Sequence, residues 1–243
     1  MKYQPDHSDI RGLVDTVVSL SEALLSGRRV LLIGGAGCRA LSLANRAPGL
    51  FGPLLPREQM ELMTIYGRAR MEAPGLRPFR APHYSVTYCG MGGMKKRFMD
   101  KDDNPRFRYI PGELELAKHG VLMLDEVTEF PRRVTDLVGT RLRTGTALVA
   151  AACSCPCGRF GVDGRKQTKA PPIDKPQTTC NCTPEQLERW NKRIDGACSS
   201  LRIDTRITVP LQSGKQRRDD HYCPSTEELR ASFNQHHNNG ETQ

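Results

Sequence analysis

Residues 30–46 read VLLIGGAGCRALSLANR. A short continuous apolar run that ends in glycines has the form of a buried parallel strand leading into a phosphate-type loop. The phosphate-loop pattern is G-x-x-x-x-G-K-S/T, with backbone amides around the phosphates, a lysine on the β/γ-phosphates and a hydroxyl on Mg²⁺. Counted from Gly34, the chain supplies Gly34, Gly35, Ala36, Gly37, Cys38, Arg39, Ala40 and Leu41. Arg39 therefore stands where the second glycine belongs, Ala40 where the lysine belongs and Leu41 where the hydroxyl belongs. An amide cradle needs no particular side chain and survives these changes. The charge partner of the phosphates and one Mg²⁺ ligand do not. Arg39 offers a replacement charge, but its Cβ occupies a position where glycine permits a tight backbone.

The other half of a nucleotide site lies further along. GVLMLDEV (120–127) is a second apolar strand. It ends in Asp125, placed to hold Mg²⁺ through water, and Glu126, placed to polarise an attacking water. A strand that simply ends in charged residues has the same appearance, so the surroundings decide. TALVAAAC (146–153) reads as a third strand. Apolar positions at helical spacing (Ile10, Leu13, Val14, Val17, Val18, Leu20, Leu24) predict a helix over Asp9–Leu25. ALSLANR begins the next helix, Pro48–Pro56 is a loop, Glu58–Met71 is a helix and Pro131–Thr144 is another. APGLRPFRAPHYS (73–85) is rich in Pro and Arg and is expected to be irregular. Strands alternating with helices indicate an α/β unit on a parallel sheet.

The chain has 243 residues, a net charge of +9, a pI near 9.2 and a mean hydropathy of −0.52. The positive balance suits a polyanionic partner, nucleic acid first, although ordinary solubility charge gives the same sum. No run approaches the roughly 20 apolar residues of a membrane span. The first residues lack an apolar h-region, so no signal peptide is expected and the expected location is the cytoplasm. Nine cysteines with no export signal indicate reduced thiols, and clustered thiols indicate metal. Cys155 and Cys157 form one C-x-C pair and Cys180 and Cys182 a second. Four thiolates brought together suit tetrahedral, structural Zn²⁺, with small buried thiols as the plain alternative. Cys153 is a possible extra ligand.

Lys95–Arg108 is expected to be an exposed loop or hairpin. It carries Lys95, Lys96, Arg97, Arg106 and Arg108, with Phe98, Phe107 and Tyr109 beside them. Basic and aromatic side chains can track a single strand of nucleic acid. Asp100, Asp102 and Asp103 partly balance the charge, as in any solvated loop. Near the C-terminus, STEELRASF (225–233) reads as a short capped helix. NQHHNNGETQ (234–243) is expected to be disordered, with its histidines solvated.

Four blocks, RPFRAPHYS (77–85), PGELELAKHGVLMLDEVTEF (111–130), LVAAACSCPCG (148–158) and CNCTPEQLERWNKRIDG (180–196), together with DHSDIRG (6–12), resemble the AAA+ module of the magnesium-chelatase-like family. That family includes ComM/YifB-type ATPases and the ATPase subunit of magnesium chelatase. The resemblance covers roughly residues 6–234. It implies a P-loop-type three-layer α/β sandwich, ATP and Mg²⁺ as ligands, and a homo- or hetero-oligomeric ring, hexameric in the family. It also implies a link to DNA processing. By resemblance, residues 34–41 form the phosphate loop, and Asp125 and Glu126 serve Mg²⁺ and water activation. Cys153 falls at the sensor asparagine of AAMNPCPCG. Arg202 resembles an arginine finger that reaches a neighbour's γ-phosphate, and Arg230 resembles a lid arginine. The implied division is a core at 1–210, with a Cys-rich loop at 153–182, and a shortened lid and tail at 211–243.

The departures bear on catalysis. They are Ala40, Leu41, Cys153 and ACSSLRID (197–204) in place of PLLDRID. By the same resemblance, a hairpin between Thr144 and Leu148 and the N-terminal protease-like domain of long members are not expected in this chain. Losing the phosphate lysine removes a charge-assisted contact of about 1.5–3 kcal/mol. The expected function is an ATP-binding module with impaired hydrolysis. A non-catalytic ring or scaffold subunit acting on a partner ATPase is the alternative, and a magnesium-chelatase subunit the third.

Overall fold

The computed structural model describes residues 5–101, 104–142, 144–159, 180–211 and 222–240. In chain order the elements are α1 (Val14–Leu25), β1 (Val30–Gly34), α2 (Ala40–Ala44), α3 (Pro56–Ala69), β2 (Phe79–Arg80) and α4 (Tyr88–Gly92). They continue with β3 (Met94–Met99), β4 (Pro105–Ile110), α5 (Glu113–Leu116), β5 (Val121–Leu124), α6 (Arg132–Arg141) and β6 (Ala147–Cys153). α7 (Pro184–Leu201), β7 (Thr205–Val209) and α8 (Thr226–Gly240) complete the chain. Five strands form one sheet in the order β2-β5-β6-β1-β7, with every pairing parallel. β1 lies between β6, where Val30 faces Val149 and Gly34 faces Cys153, and β7, where Val30 faces Thr205 and Gly34 faces Val209.

The strands are buried on both faces because alternate residues feed two separate cores. Val30, Leu32, Val121, Met123, Val149, Ala151, Ile207 and Val209 point to one side, against Val17, Leu20 and Leu24 of α1 and Leu43 of α2. Leu31, Leu122, Leu124, Leu148, Ala150 and Ala152 point to the other, against Val134, Leu137 and Val138 of α6 and Ile194, Cys198 and Leu201 of α7. The result is a helix–sheet–helix sandwich, and it explains why VLLI and VLML read as unbroken apolar runs.

Several boundaries differ from the sequence expectation, each for a local reason. Gly12 takes a positive φ of 66° after a 3-10 turn at His7–Asp9, so α1 begins at Val14 rather than Asp9. α3 begins two residues early: Pro56 fits the first helical position and Glu58 Oε2 accepts the Leu55 N–H at 2.8 Å. Within the Pro/Arg-rich stretch, Phe79 and Arg80 pair with Val121 and Leu122 as a short edge strand. α7 and β7 are not among the expected elements. Yet α7 has a capping box, with Thr183 Oγ1 accepting the Gln186 N–H and Gln186 Oε1 accepting the Thr183 N–H. β7 is an edge strand whose alternating Thr205, Ile207 and Val209 expose the other face. α8 continues to Gly240, beyond the start of the stretch expected to be disordered. Ser225 and Glu228 cap it reciprocally. Residues 241–243 lie outside the described residues.

The two ends of the fold are joined. The Asp6 carboxylate accepts the N–H groups of Ser8 and Thr226, and His7 N–H donates to Thr226 Oγ1. Cys223 N–H donates to the Ile10 carbonyl, and the Arg11 guanidinium stacks over the Tyr222 ring at 4.5 Å. Arg46 donates to the Asp6 carbonyl at 2.7 Å, which ties both ends to α2.

Candidate nucleotide site and cysteine cluster

Because all five strands are parallel, their C-terminal ends share one edge of the sheet, where ligands of open α/β sheets bind. β1 delivers Gly34, β5 delivers Asp125 and Glu126, and β6 delivers Cys153 to that edge. Packing explains the first two glycines. A Cβ on Gly34 would lie 2.7 Å from Cys38 Sγ and from the Val209 carbonyl, and one on Gly35 would lie 2.7 Å from Leu211 Cδ1. Gly37 takes a φ of 82° and Arg39 a φ of 67°. The left-handed turn expected of a glycine is thus kept by an arginine, at a cost of roughly 1–2 kcal/mol. Ala40 is packed into the α1-side core, while Leu41 is 45 % exposed. Where the phosphate-loop pattern has a lysine and a hydroxyl, the chain has a methyl and an isobutyl group.

The acidic pair stands at the same edge of the sheet. Asp125 and Glu126 are exposed, Glu126 has a φ of 51°, and its N–H donates to Asp125 Oδ1 at 3.0 Å. Two exposed carboxylates at a strand end can hold a hydrated divalent cation such as Mg²⁺. Burial pushes the Cys153 thiol up, with Cys38, Glu126, Cys155 and Asp125 adding to the shift. Burial also raises Cys38, with Asp125 contributing. Asp125 contributes to both shifts, so these side chains share one neighbourhood. A thiol at 153 is a weak hydrogen-bond donor where the resemblance puts an amide.

α7 secures this edge through residues that the sequence reading does not single out. Trp190 Nε1 donates to the Cys153 carbonyl at 2.8 Å. Arg193 lies over the Trp190 ring at 5.2 Å, donates to the Thr128 carbonyl at 2.8 Å and pairs with Glu129 at 3.2 Å. The turn that follows Glu126 is thereby fixed. The signal available in the sequence is the 3.6-residue spacing of Leu187, Trp190, Ile194 and Leu201 on a capped helix.

Arg202 lies elsewhere. It ends α7 in a left-handed conformation, φ 56°, three residues before Thr205, which pairs with Val30 at the start of β1. The five residues of β1 span about 17 Å, so Arg202 is at the opposite edge of the sheet from the loop and the acidic pair. Arg230 caps carbonyls on the α1 side, donating to Leu50 at 3.1 Å and Gly49 at 2.9 Å. The structure brings neither arginine to the loop within this chain.

The four cysteines do converge. The ligand atoms of Cys155, Cys157, Cys180 and Cys182 all lie within 4.8 Å of one another. The Sγ atoms are separated by 3.3 Å for 155–157, 3.5 Å for 157–180 and 3.8 Å for 180–155. A tetrahedron with Zn–S arms of about 2.3 Å has edges of about 3.8 Å, so the donor set fits Zn²⁺ in type, number and spacing. Within the cluster, the Cys157 and Cys180 thiols are shifted in opposite directions. For Cys157, burial opposes ionisation but the Arg159 N–H and the neighbouring thiols lower it to about 7; burial and the thiols around it push Cys180 up to about 12. Residues 160–179, which join the two pairs, lie outside the described residues.

β3 and β4 form the expected hairpin, with Lys96 opposite Arg108, Arg97 opposite Phe107 and Phe98 opposite Arg106. Side chains alternate across the ribbon. Lys95, Arg97, Phe107 and Tyr109 therefore share one face, and Lys96, Phe98, Arg106 and Arg108 the other. Phe98 is 46 % and Phe107 68 % exposed. Arg106 pairs with Asp100 at 3.0 Å. Among the described residues, no helix is long and apolar enough to cross a membrane.

A parallel sheet with a glycine loop after β1 and an acidic pair after β5, covered by helices on both faces, defines a three-layer α/β sandwich of the P-loop type. The chain belongs to the family described as magnesium chelatase, subunit ChlI, whose model matches residues 6–217. Among its relatives is a protein of Escherichia coli K12 called YifB, 29 % identical over 230 residues, 86 % of this chain and 40 % of the relative. Competence protein ComM of Haemophilus influenzae is 29 % identical over 218 residues, 85 % of this chain and 39 % of the relative. The chain thus spans about 40 % of the length of these relatives. A structure of the BchI–BchD complex of magnesium chelatase aligns with 93 % of this chain and 70 % of that one, at 16 % identity and a TM-score of 0.46.

Proposed function

We propose that this chain is a AAA+ nucleotide-binding module of the ComM type, associated with DNA processing, whose ATP site keeps its acidic edge and has lost its grip on phosphate. The observation that carries this reading is the pairing of Asp125 and Glu126 with a loop that ends in Ala40 and Leu41. The fold supplies a site for Mg·ATP, while the side chains that hold and polarise the γ-phosphate are absent. Binding is weak and hydrolysis slow. The combined variant Arg39→Gly, Ala40→Lys and Leu41→Thr restores a relaxed turn, an ammonium and a hydroxyl. The lysine stem would run along the apolar wall that now packs Ala40, with its ammonium outside. Recovering one charge-assisted contact strengthens Mg·ATP binding about tenfold or more by calorimetry. A variant that binds no tighter than the native chain overturns this account of the loop.

A second reading, a non-catalytic subunit of a homo- or hetero-oligomeric ring in the cytoplasm, is favoured by the position of Arg202. A finger at the far edge of the sheet serves a neighbour's nucleotide and not its own. Mixing with a catalytically competent relative tests it: Arg202→Ala lowers the neighbour's turnover if the arginine reaches across, and leaves it unchanged if the reading is wrong.

The exposed hairpin supports a DNA contact, since both faces offer cations beside aromatic rings. Replacing Lys95, Lys96 and Arg97 by alanine weakens single-stranded DNA binding and flattens its salt dependence by about two, at roughly 0.7 per lost phosphate contact. An unchanged slope in anisotropy titrations places the DNA surface elsewhere.

A further inference from the structure

The Cys155–Gly158 turn faces two ways. On one side Cys155 and Cys157 meet Cys180 and Cys182. On the other side the same turn is bonded to the glycine loop at both of its ends. Ser154 N–H donates to the Gly34 carbonyl at 3.0 Å, and the Gly158 carbonyl accepts the Ala36 N–H at 2.7 Å. The turn closes on itself through Gly158 N–H to the Cys155 carbonyl at 3.0 Å, and Gly158 holds a φ of 70° that favours glycine. There is no slack in this arrangement. A Cβ on Gly158 would lie 3.0 Å from the Ala36 Cβ, and one on Gly35 would lie 3.2 Å from the Gly158 carbonyl oxygen.

We propose that a zinc ion held by Cys155, Cys157, Cys180 and Cys182 braces the glycine loop, so that metal occupancy fixes the conformation of residues 34–36. The physical chain is short. Zinc binding displaces the thiol protons to solvent and fixes four sulfurs in a tetrahedron. Two of those sulfurs belong to a four-residue turn whose last carbonyl holds the Ala36 amide. Without the ion, Cys180 and Cys182 at the entrance to α7 no longer anchor the turn, and the Gly158–Ala36 bond opens more often. The linkage is a property of the folded chain and stands whether or not the loop takes nucleotide.

The test uses the full chain, purified under reducing conditions without chelator. Elemental analysis is expected to give about one zinc per chain. Amide exchange by NMR is then compared between the zinc-loaded chain, the chelator-treated chain and a variant carrying Cys180→Ser and Cys182→Ser. The Ala36 amide exchanges about tenfold faster or more in both metal-free forms, while Leu31 and Leu32 in β1 keep their protection. Less than about half an equivalent of zinc overturns the site, and an Ala36 rate that ignores zinc overturns the brace. If removing the metal also strips protection from β1, the reciprocal measurement decides. Ala36→Pro deletes the donated N–H, and by linkage zinc then passes to a chromophoric chelator at an apparent affinity about threefold weaker or more. Release identical to that of the native chain overturns the proposal.

Discussion

Replacing Gly139 by alanine lowers the unfolding free energy by about 2–4 kcal/mol. Gly139 lies inside α6, where alanine normally gains about 1 kcal/mol over glycine. Here the gain is overridden. The new Cβ would sit 1.8 Å from the Ser200 carbonyl oxygen and 3.2 Å from the Leu201 Cα. Those are backbone atoms at the end of α7, held in turn because Arg29 donates to both the Gly139 and Leu201 carbonyls, at 3.0 and 2.7 Å. They cannot step aside as a side chain can. Separating the helices would open the core between Leu137, Val138 and Leu201. At Gly196, inside α7, an added Cβ would meet nothing within 4 Å. Gly196→Ala is therefore expected to stabilise by up to about 1 kcal/mol. Urea titrations of the two variants should move in opposite directions; a destabilised Gly196→Ala or a neutral Gly139→Ala contradicts this packing.

The second large effect is on acid stability. His7 is fully buried beneath the junction of the two ends of the fold. Burial lowers its pKa from 6.5 to about 4; Asp6 opposes this shift and Arg46 adds to it. A base with a depressed folded pKa stays neutral in the fold and takes a proton on unfolding. Its stabilising contribution is complete above pH 6.5 and is lost as the pH falls toward 4 and below. The loss between pH 7.5 and 4.5 is about 2–3 kcal/mol. Asp6 is itself lowered to about 2, with burial opposing and hydrogen bonds from Thr226 and Ser8 prevailing. Its contribution is lost only below pH 3.8, a separate window. Chemical denaturation of the native chain and of His7→Gln at both pH values isolates the histidine. A native slope no steeper than that of the variant would mean that His7 is protonated in the fold.

The central strands and the glycine loop are legible in the sequence because buried parallel strands leave unbroken apolar runs that end at the ligand edge. VLLI, VLML and LVAA all do so. β7 escapes that rule: as an edge strand it alternates, and its five residues resemble a loop with two apolar positions. α7 carries its signals openly, in Thr183, Pro184 and Gln186 and in the spacing from Leu187 to Leu201, but only one face of it is apolar and the cysteines at its entrance suggest a metal loop instead. Cysteine spacing announces two pairs, but only the fold brings Cys180 and Cys182 against Cys155 and Cys157. Arg202 and Arg230 show the opposite limit. Local similarity names a residue's type, whereas the sheet decides which edge it occupies. The bond from Ala36 to Gly158 spans 122 residues and leaves no mark in either segment.

If this nucleotide fold carries a loop that no longer holds phosphate firmly, the most direct measurement is a calorimetric titration of Mg·ATP into the native full chain. The expected Kd is weaker than about 100 µM, because a charge-assisted contact worth one to two decades of affinity is gone. A Kd of about 10 µM or tighter would show that Arg39 and the backbone amides suffice, and would make the chain a working ATP site in spite of Ala40 and Leu41.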